Sequence, residues 1–242
     1  MIKFKLLIPA AGKGTRSKLN YPKTLYPVDG TPIILRIINN FSNYDNYPSV
    51  VVSPDGCNQI KDVLKQQKIN FELILQEEPK GMGNAVLTFK KSKFYKNVDN
   101  IILVWGDIPF LNKNTIEDTI KRHEVNKNDF TFPTYFSKSA YTILERDDQG
   151  SILNVLETRE NPSITSVSGE REIGFFIFKS DLVLDFLQKN LDNKITTSTK
   201  EHGFLYIIKH LVDKGYRVEG LPIAKEEDCI SLNKIEDLDQ NI

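Results

Sequence analysis

A short glycine-rich segment that carries several cations is the part of the sequence best suited to chemistry. It reads AAGKGTR over residues 10–16 and is followed by Pro22 and Lys23. Its glycines allow the backbone to turn tightly and to bring N–H groups close to a polyanion. Lys13, Arg16 and Lys23 add positive charge, and arginine can hold two phosphate oxygens at once. The pattern predicts a phosphate-binding loop with these nucleotide-binding residues: Ala10, Ala11, Gly12, Lys13, Gly14 and Thr15.

Two common phosphate-binding loops do not fit this segment. A Walker loop requires Ser or Thr after Gly-Lys, but Gly14 follows Lys13. A dinucleotide-binding loop requires a third glycine where Ser17 stands, and it rarely carries so much positive charge. A plain surface turn is the remaining alternative, but the segment directly follows the buried-strand pattern of Phe4 to Pro9. The cations favour a triphosphate that is being cleaved.

A carboxylate beyond a second apolar run is a candidate metal ligand. Residues 101–105 (IILVW) predict a buried strand, and Gly106 and Asp107 follow it directly. Glycine leaves space beside the carboxylate, whose oxygens are hard ligands of the kind that Mg²⁺ prefers. A lone Asp more often caps a turn, so the metal role depends on a second ligand. Because ligands bind beyond the carboxyl ends of parallel strands, one crevice could hold both Asp107 and the glycine-rich loop.

The length and composition indicate a single domain over residues 1–242, with a nucleotide-binding half (1–127) and an acceptor-binding half (128–242). Lys plus Arg number 32 and Asp plus Glu number 32, so no basic surplus indicates a nucleic-acid partner. Cys57 and Cys229 lie far apart and form neither a disulfide framework nor a zinc pattern. The first apolar run is too short for a signal peptide, and no apolar stretch approaches the length of a membrane span. We therefore expect a cytoplasmic protein with no membrane partner.

Apolar runs alternate with helical periodicity through the first half of the chain. Short runs rich in β-branched residues predict strands, and apolar residues at helical spacing predict helices. The predicted strands are Phe4–Pro9, Ser49–Ser53, Phe71–Leu75 and Ile101–Trp105. The predicted helices are Thr31–Phe41, with Pro32 at an early helical position, Gln59–Gln67, Gly83–Phe89 and Asn114–His123. This alternation predicts a mostly parallel sheet that is covered on both faces.

The second half is predicted to be richer in strands. Several strand-like segments lie close together, and the turn Asp147–Gly150 joins two of them as a hairpin. These segments are Phe130–Phe136, Ala140–Glu145, Ile152–Glu157 and Ile173–Lys179. Predicted helices at Leu182–Leu187 and Phe204–Val212, a strand at Tyr216–Leu221 and a turn at Ile235–Leu238 follow. We expect a small β-rich lobe that leans on the main sheet.

The segment Leu6 to Arg16, with Pro22 and Lys23 following, resembles the signature of the nucleotide-sugar pyrophosphorylases, a nucleotidyltransferase family. It is most similar to the uridylyltransferase domains of bacterial N-acetylglucosamine-1-phosphate uridylyltransferases. Further motifs agree in order, so the resemblance extends to Leu238. It implies a Rossmann-like α/β/α sandwich of the GT-A nucleotidyltransferase type, with a mixed, mostly parallel sheet and a small β-rich lobe on the acceptor side.

The resemblance implies roles for residues that contact the nucleotide. Arg16 and Lys23 are the expected catalytic cations. Gln76 is expected to hydrogen-bond the pyrimidine edge, because an amide donates and accepts in one plane. Gly81 is expected to let the base pack closely. The alternative for Gln76 is a solvated residue at a strand end.

The resemblance also implies a metal site and an acceptor contact. Asp107 and Asn233 are expected to provide the protein oxygens of one Mg²⁺ ion, which commonly takes one or two such ligands. Taken alone, Asn233 is more often a helix N-cap. Glu157 is expected to accept hydrogen bonds from acceptor hydroxyls, and its alternative is a solvated hairpin residue.

Three positions depart from the family pattern. Ser17 stands where the family has Met, Thr142 follows Tyr141 where the family has Gly, and Glu172 stands where the family has Asn. Thr142 and Glu172 lie where the sugar and its acyl group would bind, and a carboxylate favours a donor or a cation over an acyl oxygen. These departures leave open an amine-bearing phosphate, such as a phosphocholine-like or amino-acid phosphate. A surface salt bridge is the other interpretation of Glu172.

The predicted reaction is transfer of a nucleoside monophosphate from a pyrimidine nucleoside triphosphate, UTP or CTP, to a phosphorylated small acceptor, with release of pyrophosphate. The expected acceptor is a sugar 1-phosphate, the expected cofactor is Mg²⁺, and a homodimer is possible. Two rival functions remain. The DLD sequence at residues 237–239 resembles the DxD motif of GT-A glycosyltransferases, although it lies at the end of the chain. A non-catalytic nucleotide-binding module is the other rival, and the presence of Arg16 and Lys23 argues against it.

Overall fold

The computed structural model describes residues 2–12, 19–78, 80–158, 168–191, 195–196 and 200–232. Several predicted site residues lie outside these ranges, namely Lys13, Gly14, Thr15, Arg16 and Asn233. Ser17 and the predicted turn Ile235–Leu238 lie outside them as well. The predictions for these residues therefore stay predictions.

The described residues form twelve β-strands and six α-helices. The strands are β1 (Ile2–Ala10), β2 (Pro27–Val28), β3 (Thr31–Pro32), β4 (Ser49–Val52), β5 (Glu72–Leu75), β6 (Val98–Val104), β7 (Phe130–Ser137), β8 (Thr142–Arg146), β9 (Ile152–Glu157), β10 (Gly169–Glu172), β11 (Phe175–Lys179) and β12 (Val218–Leu221). The helices are α1 (Ile33–Phe41), α2 (Cys57–Gln66), α3 (Met82–Thr88), α4 (Lys113–Val125), α5 (Ser180–Asn190) and α6 (Tyr206–Asp213). Of the helices in the described part of the chain, none is both long and apolar enough to cross a membrane.

A mixed, mostly parallel sheet of eight strands forms the centre of the fold. Its order is β10-β7-β11-β6-β1-β4-β5, and β12 also pairs with β7. The strands β6, β1, β4 and β5 run parallel to one another, whereas β11 is antiparallel to β6 and β7. The apolar run Leu6–Ile8 explains the central place of β1, because these three residues are fully buried and cover both faces of the strand.

Helices cover both faces of this sheet. One apolar core joins the sheet to α1, α2 and α4 through residues such as Ile37, Leu64 and Ile120. The second core lies on the other face and contains residues of α3, α5, α6 and the β8–β9 ribbon, among them Val86, Leu184, Ile207 and Leu144. The predicted α/β/α sandwich is confirmed by this arrangement.

A hairpin before α1 corrects one predicted helix start. Asp29 and Gly30 both have positive φ (49° and 73°), as a type I′ turn requires. The turn pairs β2 with β3, so Thr31 and Pro32 are extended. The prediction of a helix from Thr31 is wrong at its start, because α1 begins at Ile33. Pro32 precedes the helix with φ −51° and ψ 139°.

The second half contributes more to the central sheet than the sequence predicts. The strands β7, β10, β11 and β12 belong to that sheet, and β8 and β9 form a separate antiparallel ribbon. Of the four segments predicted to form a β-rich lobe, Phe130–Phe136 and Ile173–Lys179 fall in the central sheet, whereas the two that form the β8–β9 ribbon lie apart from it. The sequence does not predict β10, because its residues GERE have no apolar pattern. The strand β11 begins at Phe175 rather than Ile173, because Gly174 has φ +79° and interrupts the extended backbone. The predicted hairpin over Asp147–Gly150 is confirmed.

Candidate nucleotide and acceptor site

Lys23 and Asp107, two of the predicted site residues, are in direct contact. Lys23 opens a short 3-10 turn after the glycine-rich loop, and Asp107 lies just beyond β6, the parallel neighbour of β1. The Lys23 Nζ atom donates to the Asp107 Oδ2 atom at 2.9 Å and to the Leu232 carbonyl at 2.8 Å. The two charged side chains are 19% and 21% exposed, so a ligand can reach them from solvent. A cation and a hard oxygen ligand therefore lie together beyond the carboxyl ends of parallel strands, where such sheets bind ligands.

Gly106 and Leu232 position the Asp107 carboxylate. A Cβ atom on Gly106 would lie 2.6 Å from the Pro9 carbonyl oxygen, so only glycine lets the ends of β1 and β6 approach this closely. The Leu232 N–H donates to the Asp107 carbonyl at 2.9 Å, and the Leu232 side chain is fully buried. The chain is thus anchored beside Asp107 one residue before Asn233. The sharing of one Mg²⁺ ion by Asp107 and Asn233 stays a prediction, which this anchor favours.

The Asp107 carboxylate has unused capacity to bind a cation. Its Oδ2 atom accepts from Lys23, whereas no donor in the described part of the chain reaches its Oδ1 atom. Within the same ranges, no group of three or more His, Cys, Asp or Glu side chains is arranged to hold a metal ion. Mg²⁺ commonly binds one or two protein carboxylates and fills its shell with phosphate and water. Asp107 therefore suits a Mg²⁺ ion that is bound together with nucleotide phosphates.

The first part of the glycine-rich loop has an open side. Ala10 and Ala11 are buried at the end of β1 (9% and 3% exposed). Gly12 is exposed, and a Cβ atom placed on it would meet no described atom within 4 Å. The described backbone thus leaves room for an anion beside Gly12, and the rest of the predicted loop lies outside the described residues.

Gln76 occupies a buried, hydrogen-bonded position just beyond β5. The residue is 3% exposed, so the alternative of a solvated strand end is wrong. Its backbone N–H extends the β4–β5 pairing by donating to the Val52 carbonyl at 2.9 Å. Its side-chain Nε2 atom donates to the Asn84 Oδ1 atom at 2.6 Å and lies 3.5 Å from the Gly81 carbonyl oxygen. One side of the amide is therefore held by the protein, and its Oε1 atom remains available for a ligand.

Gly81 is required by packing within the protein. It has φ +98°, and a Cβ atom on it would lie 2.8 Å from backbone atoms of His202. The His202 N–H donates to the Lys80 carbonyl at 2.6 Å, and the Gly83 N–H donates to the His202 carbonyl at 3.0 Å. The turn before α3 is thus fixed against a segment of the second half, which the sequence did not indicate. The close approach of a base to Gly81 stays a prediction.

The three predicted acceptor residues lie together on β8, β9 and β10. Thr142 and Glu157 are direct partners in the β8–β9 ribbon. The Thr142 hydroxyl donates to the Glu172 Oε1 atom at 3.1 Å, and the Gly174 N–H donates to the Oε2 atom at 2.6 Å. Glu172 is 1% exposed, so the alternative of a surface salt bridge is wrong for this residue. The departures from the family pattern at positions 142 and 172 thus form one hydrogen-bonded unit.

Burial gives the Glu172 carboxyl an unusual electrostatic environment. Desolvation raises the pKa of this group, the Glu157 charge raises it further, and the Arg171 charge and the two hydrogen bonds oppose this shift. The Arg171 guanidinium donates instead to the Glu172 carbonyl at 3.0 Å and lies 4.0 Å from the centroid of the Tyr141 ring. No described cation forms a salt bridge with the Glu172 carboxylate. A buried carboxylate of this kind is stabilised by a proton, a donor or a cation.

The sequence did not indicate three residues that contact the predicted site residues. Asn84 holds Gln76 from the first turn of α3, and neither residue type nor spacing indicated the pair. Leu232 acts through its backbone carbonyl, which carries no signal in the sequence. Arg171 lies in β10, a strand that the sequence did not predict.

Comparison with known proteins agrees with this arrangement. The model of the MobA-like NTP transferase domain family matches residues 6–173. The chain is similar to the bifunctional protein GlmU of Thermodesulfovibrio yellowstonii, with 27% identity over 230 residues that cover 94% of this chain and 49% of that protein. It is also similar to GlmU of Clostridioides difficile, with 28% identity over 236 residues that cover 95% of this chain and 49% of that protein. The chain thus spans about half the length of the curated relatives it matches.

Solved structures share the fold. The chain resembles UDP-glucose pyrophosphorylase complexed with UDP-glucose, with a TM-score of 0.76 and 16% identity, over 99% of this chain and 97% of that one. The apo form of UDP-glucose pyrophosphorylase gives a TM-score of 0.77 at 17% identity, over 99% of this chain and 96% of that one. At these identities the likeness shows the fold, and the family match, which covers well over half of the chain, shows the kinship. The chain therefore belongs to the MobA-like NTP transferase family.

Proposed function

We propose that this protein is a nucleotidyltransferase that moves a nucleoside monophosphate from a pyrimidine nucleoside triphosphate, UTP or CTP, to a sugar 1-phosphate and releases pyrophosphate. The contact between Lys23 and Asp107 beyond two neighbouring parallel strands carries this proposal. It places a cation that can offset phosphate charge beside a hard ligand for a divalent metal. The name of one structural relative, UDP-glucose pyrophosphorylase, supports a nucleotide-sugar product.

The reaction is an in-line displacement at the α-phosphorus of the nucleotide. An oxygen of the acceptor phosphate forms the new P–O bond, the bond between the α-phosphorus and the bridging oxygen breaks, and the electron pair leaves with pyrophosphate. The acceptor phosphate is already ionised, so the protein needs neither a nucleophile nor a base. Lys23 and Arg16 offset the charge on the α-phosphate and the leaving pyrophosphate. Asp107 and Asn233 would hold a Mg²⁺ ion, which would supply further positive charge at the phosphates.

The hydrogen bonds of Lys23 leave it able to contact phosphate. Its ammonium group has three N–H donors, of which one is bound by Asp107 and one by the Leu232 carbonyl. The third donor remains for a phosphate oxygen. Because Asp107 and Leu232 hold the ammonium in place, little side-chain entropy is lost when the phosphate binds. Lys23 is thus pre-positioned for an anion, which is the arrangement that lowers the barrier most effectively.

An amine-bearing phosphate is the second candidate acceptor. The buried Glu172 carboxylate favours it, because this group has no salt-bridge partner among the described residues and lies near the like charge of Glu157. An ammonium group on the acceptor would be attracted to both carboxylates. An acyl oxygen would face the same carboxylate without a donor, so N-acetylglucosamine 1-phosphate is a poorer fit than an amine or a plain sugar hydroxyl.

A pyrophosphate-release screen tests both candidates. UTP, CTP, ATP, GTP and dTTP are each combined with Mg²⁺ and a panel of phosphorylated sugars, polyols and amines. We expect pyrophosphate with a pyrimidine nucleotide and a sugar 1-phosphate, whereas turnover restricted to amine-bearing phosphates establishes the second candidate. Release of a nucleoside diphosphate from a nucleotide sugar would instead identify a glycosyltransferase.

The Arg16→Ala variant tests the catalytic role of the glycine-rich loop. We expect a loss of turnover on the order of 10²–10³, because one preorganised donor to the developing charge is removed. Circular dichroism and the thermal midpoint establish that the variant is folded. Near-normal turnover of a folded Arg16→Ala variant would refute the catalytic role of this residue.

A further inference from the structure

A side-chain hydrogen bond between Gln76 and Asn84 holds the buried amide of Gln76. Gln76 lies just beyond β5, and Asn84 lies in the first turn of α3. Gln76 is 3% exposed, and its Nε2 atom is 2.6 Å from the Asn84 Oδ1 atom. A buried amide cannot exchange a lost partner for water at no cost, so this contact restricts its rotation.

The Gly81 carbonyl fixes which side of the Gln76 amide is the nitrogen. Its oxygen lies 3.5 Å from the same Nε2 atom, and a carbonyl oxygen can only accept. A reversed amide would place Gln76 Oε1 against this carbonyl, where two oxygens repel. The Nε2 atom is therefore directed toward the protein. No donor among the described residues reaches Oε1, which remains as the ligand-facing atom.

Close backbone contacts at the start of α3 hold Asn84 beside Gln76. A Cβ atom on Gly83 would lie 2.2 Å from the Gly203 carbonyl oxygen, so the helix start is in close contact with the segment beside it. The Gly83 N–H donates to the His202 carbonyl at 3.0 Å, which adds a hydrogen bond to this contact. Asn84 follows directly after Gly83 and shares its constraint. The relation between Asn84 and Gln76 is thus set by the backbone of two separate segments.

We propose that Asn84 is a positioning residue that makes Gln76 an acceptor-only reader of the nucleobase. The inference rests on the proposed function, because it assumes that a nucleotide base reaches Gln76. A freely rotating amide can face a base with either its donor or its acceptor. With Nε2 directed to the protein by the Gly81 carbonyl and held there by Asn84, only Oε1 faces the base. It requires an N–H there, such as the N3–H of uracil or the amino group of cytosine. Asn84 acts through Gln76 and contacts no substrate atom.

Two substitutions at position 84 separate this role from simple packing. Asn84→Leu has similar volume but no acceptor for Gln76 Nε2, whereas Asn84→Asp keeps an acceptor in the same place. For Asn84→Leu we expect KM for the preferred nucleotide to rise about tenfold, kcat to change less than about twofold, and the preference over the next nucleotide to fall about tenfold. For Asn84→Asp we expect KM and the preference to stay within about threefold of the wild type.

Calorimetry with non-hydrolysable triphosphates measures the nucleotide affinities of the wild type and the two Asn84 variants without turnover. Unchanged KM, binding and base preference in Asn84→Leu would overturn the inference. Equal losses in folded Asn84→Leu and Asn84→Asp variants, checked by circular dichroism and thermal midpoint, would also overturn it, because packing alone would explain them. If the wild type binds nucleotides with a base preference but releases no pyrophosphate, the proposed function is refuted. The nucleotide affinities of Asn84→Leu and Asn84→Asp then still test whether Asn84 positions Gln76.

Discussion

Two Lys–Asp pairs of the same chemistry lie in different parts of the molecule. The closed pair joins Lys5, in the first half of β1, to Asp45, in the loop between α1 and β4. Its N–O distance is 3.3 Å, and the side chains are 1% and 6% exposed. The open pair, Lys23–Asp107, lies beyond the end of β1 and has a distance of 2.9 Å, with the side chains 19% and 21% exposed. The pair with the shorter distance is the one that solvent can reach.

The difference lies in how much hydrogen-bonding capacity the protein itself uses. In the closed pair, the two Asp45 oxygens accept from the N–H groups of Leu6 at 2.9 Å and Tyr47 at 3.0 Å. Lys5 donates to the Tyr47 carbonyl, and its Nζ atom lies 3.7 Å from the centroid of the Phe94 ring. Burial lowers the pKa of Lys5, although Asp45 opposes this shift.

In the open pair, one carboxylate oxygen of Asp107 and one N–H of Lys23 have no described protein partner. A structural ion pair is thus one whose groups are all satisfied internally. A pair that can bind a ligand has donors and acceptors that the protein itself does not use.

The largest expected effect comes from breaking the closed pair. Asp45→Ala leaves the Lys5 ammonium buried without its carboxylate, so we expect the free energy of unfolding to fall by about 3–5 kcal/mol. The matched change Asp107→Ala should lower it by no more than about 1 kcal/mol, because that pair is partly exposed. Urea denaturation of both variants measures the difference, and similar losses would show that the two pairs do not differ in their structural role.

The opposite test breaks the open pair and measures turnover. Lys23→Met should lower kcat on the order of 10²–10³, because a preorganised cation at the phosphates is lost. Lys5→Met should leave the turnover of its folded fraction within about threefold of the wild type, because Lys5 lies away from the proposed reacting groups. Pyrophosphate release per folded molecule gives both values. Substantial activity in Lys23→Met would show that the Lys23–Asp107 pair has no catalytic role.

A further buried titratable group, His123, extends the comparison to the pH dependence of stability. Its ring nitrogens contact Thr131 at 2.9 Å and Asn100 at 3.1 Å, and burial lowers its pKa from 6.5 to about 4. The unfolded chain then binds the proton first, so stability is complete above pH 6.5 and is lost as the pH falls toward 4. Between pH 7 and 5 we expect a loss of about 2 kcal/mol.

Thermal or urea unfolding across this pH range measures the slope. His123→Gln should flatten it, because glutamine does not titrate there. An unchanged slope in the variant would show that another group determines the acid sensitivity.

The smallest expected effect concerns Glu172, a third buried charge that is hydrogen-bonded but not ion-paired. Its pKa is raised by burial, so its contribution to stability is present below its ordinary value of 4.5 and is lost as the pH rises through the folded-state pKa. Glu172→Gln cannot ionise, and its amide can still accept from Gly174 and donate to the Thr142 hydroxyl. We expect a change of less than about 1 kcal/mol in the free energy of unfolding at neutral pH.

The acceptor screen supplies the functional measurement for the same variant. If the acceptor carries an amine, Glu172→Gln should raise its KM about tenfold while KM for the nucleotide stays the same. If Glu172→Gln raised KM equally for the acceptor and the nucleotide, Glu172 would have a structural role, as Asp45 does.

The fold was largely predictable where local pattern and burial agree. The apolar runs of β1, β4 and β6 predicted strands, because a strand covered on both faces has apolar residues at most of its buried positions. The strand β10 was missed, because its buried positions are occupied by Arg171 and Glu172 and are stabilised by partners far away in the sequence. The start of α1 was misplaced, because the turn at Asp29–Gly30 continues into a hairpin that only its backbone dihedral angles reveal.

By itself, the sequence determined the alternation of strands and helices, the glycine-rich loop after a buried strand and the carboxylate after another. These features depend on residues within a few positions of one another. The tertiary structure alone decided which charges meet: Lys23 contacts Asp107 across 84 residues and Leu232 across 209. The physical reason is that strand order and crossovers determine which distant residues become neighbours, and burial then determines whether a Lys–Asp pair is closed by the protein or left open for a ligand.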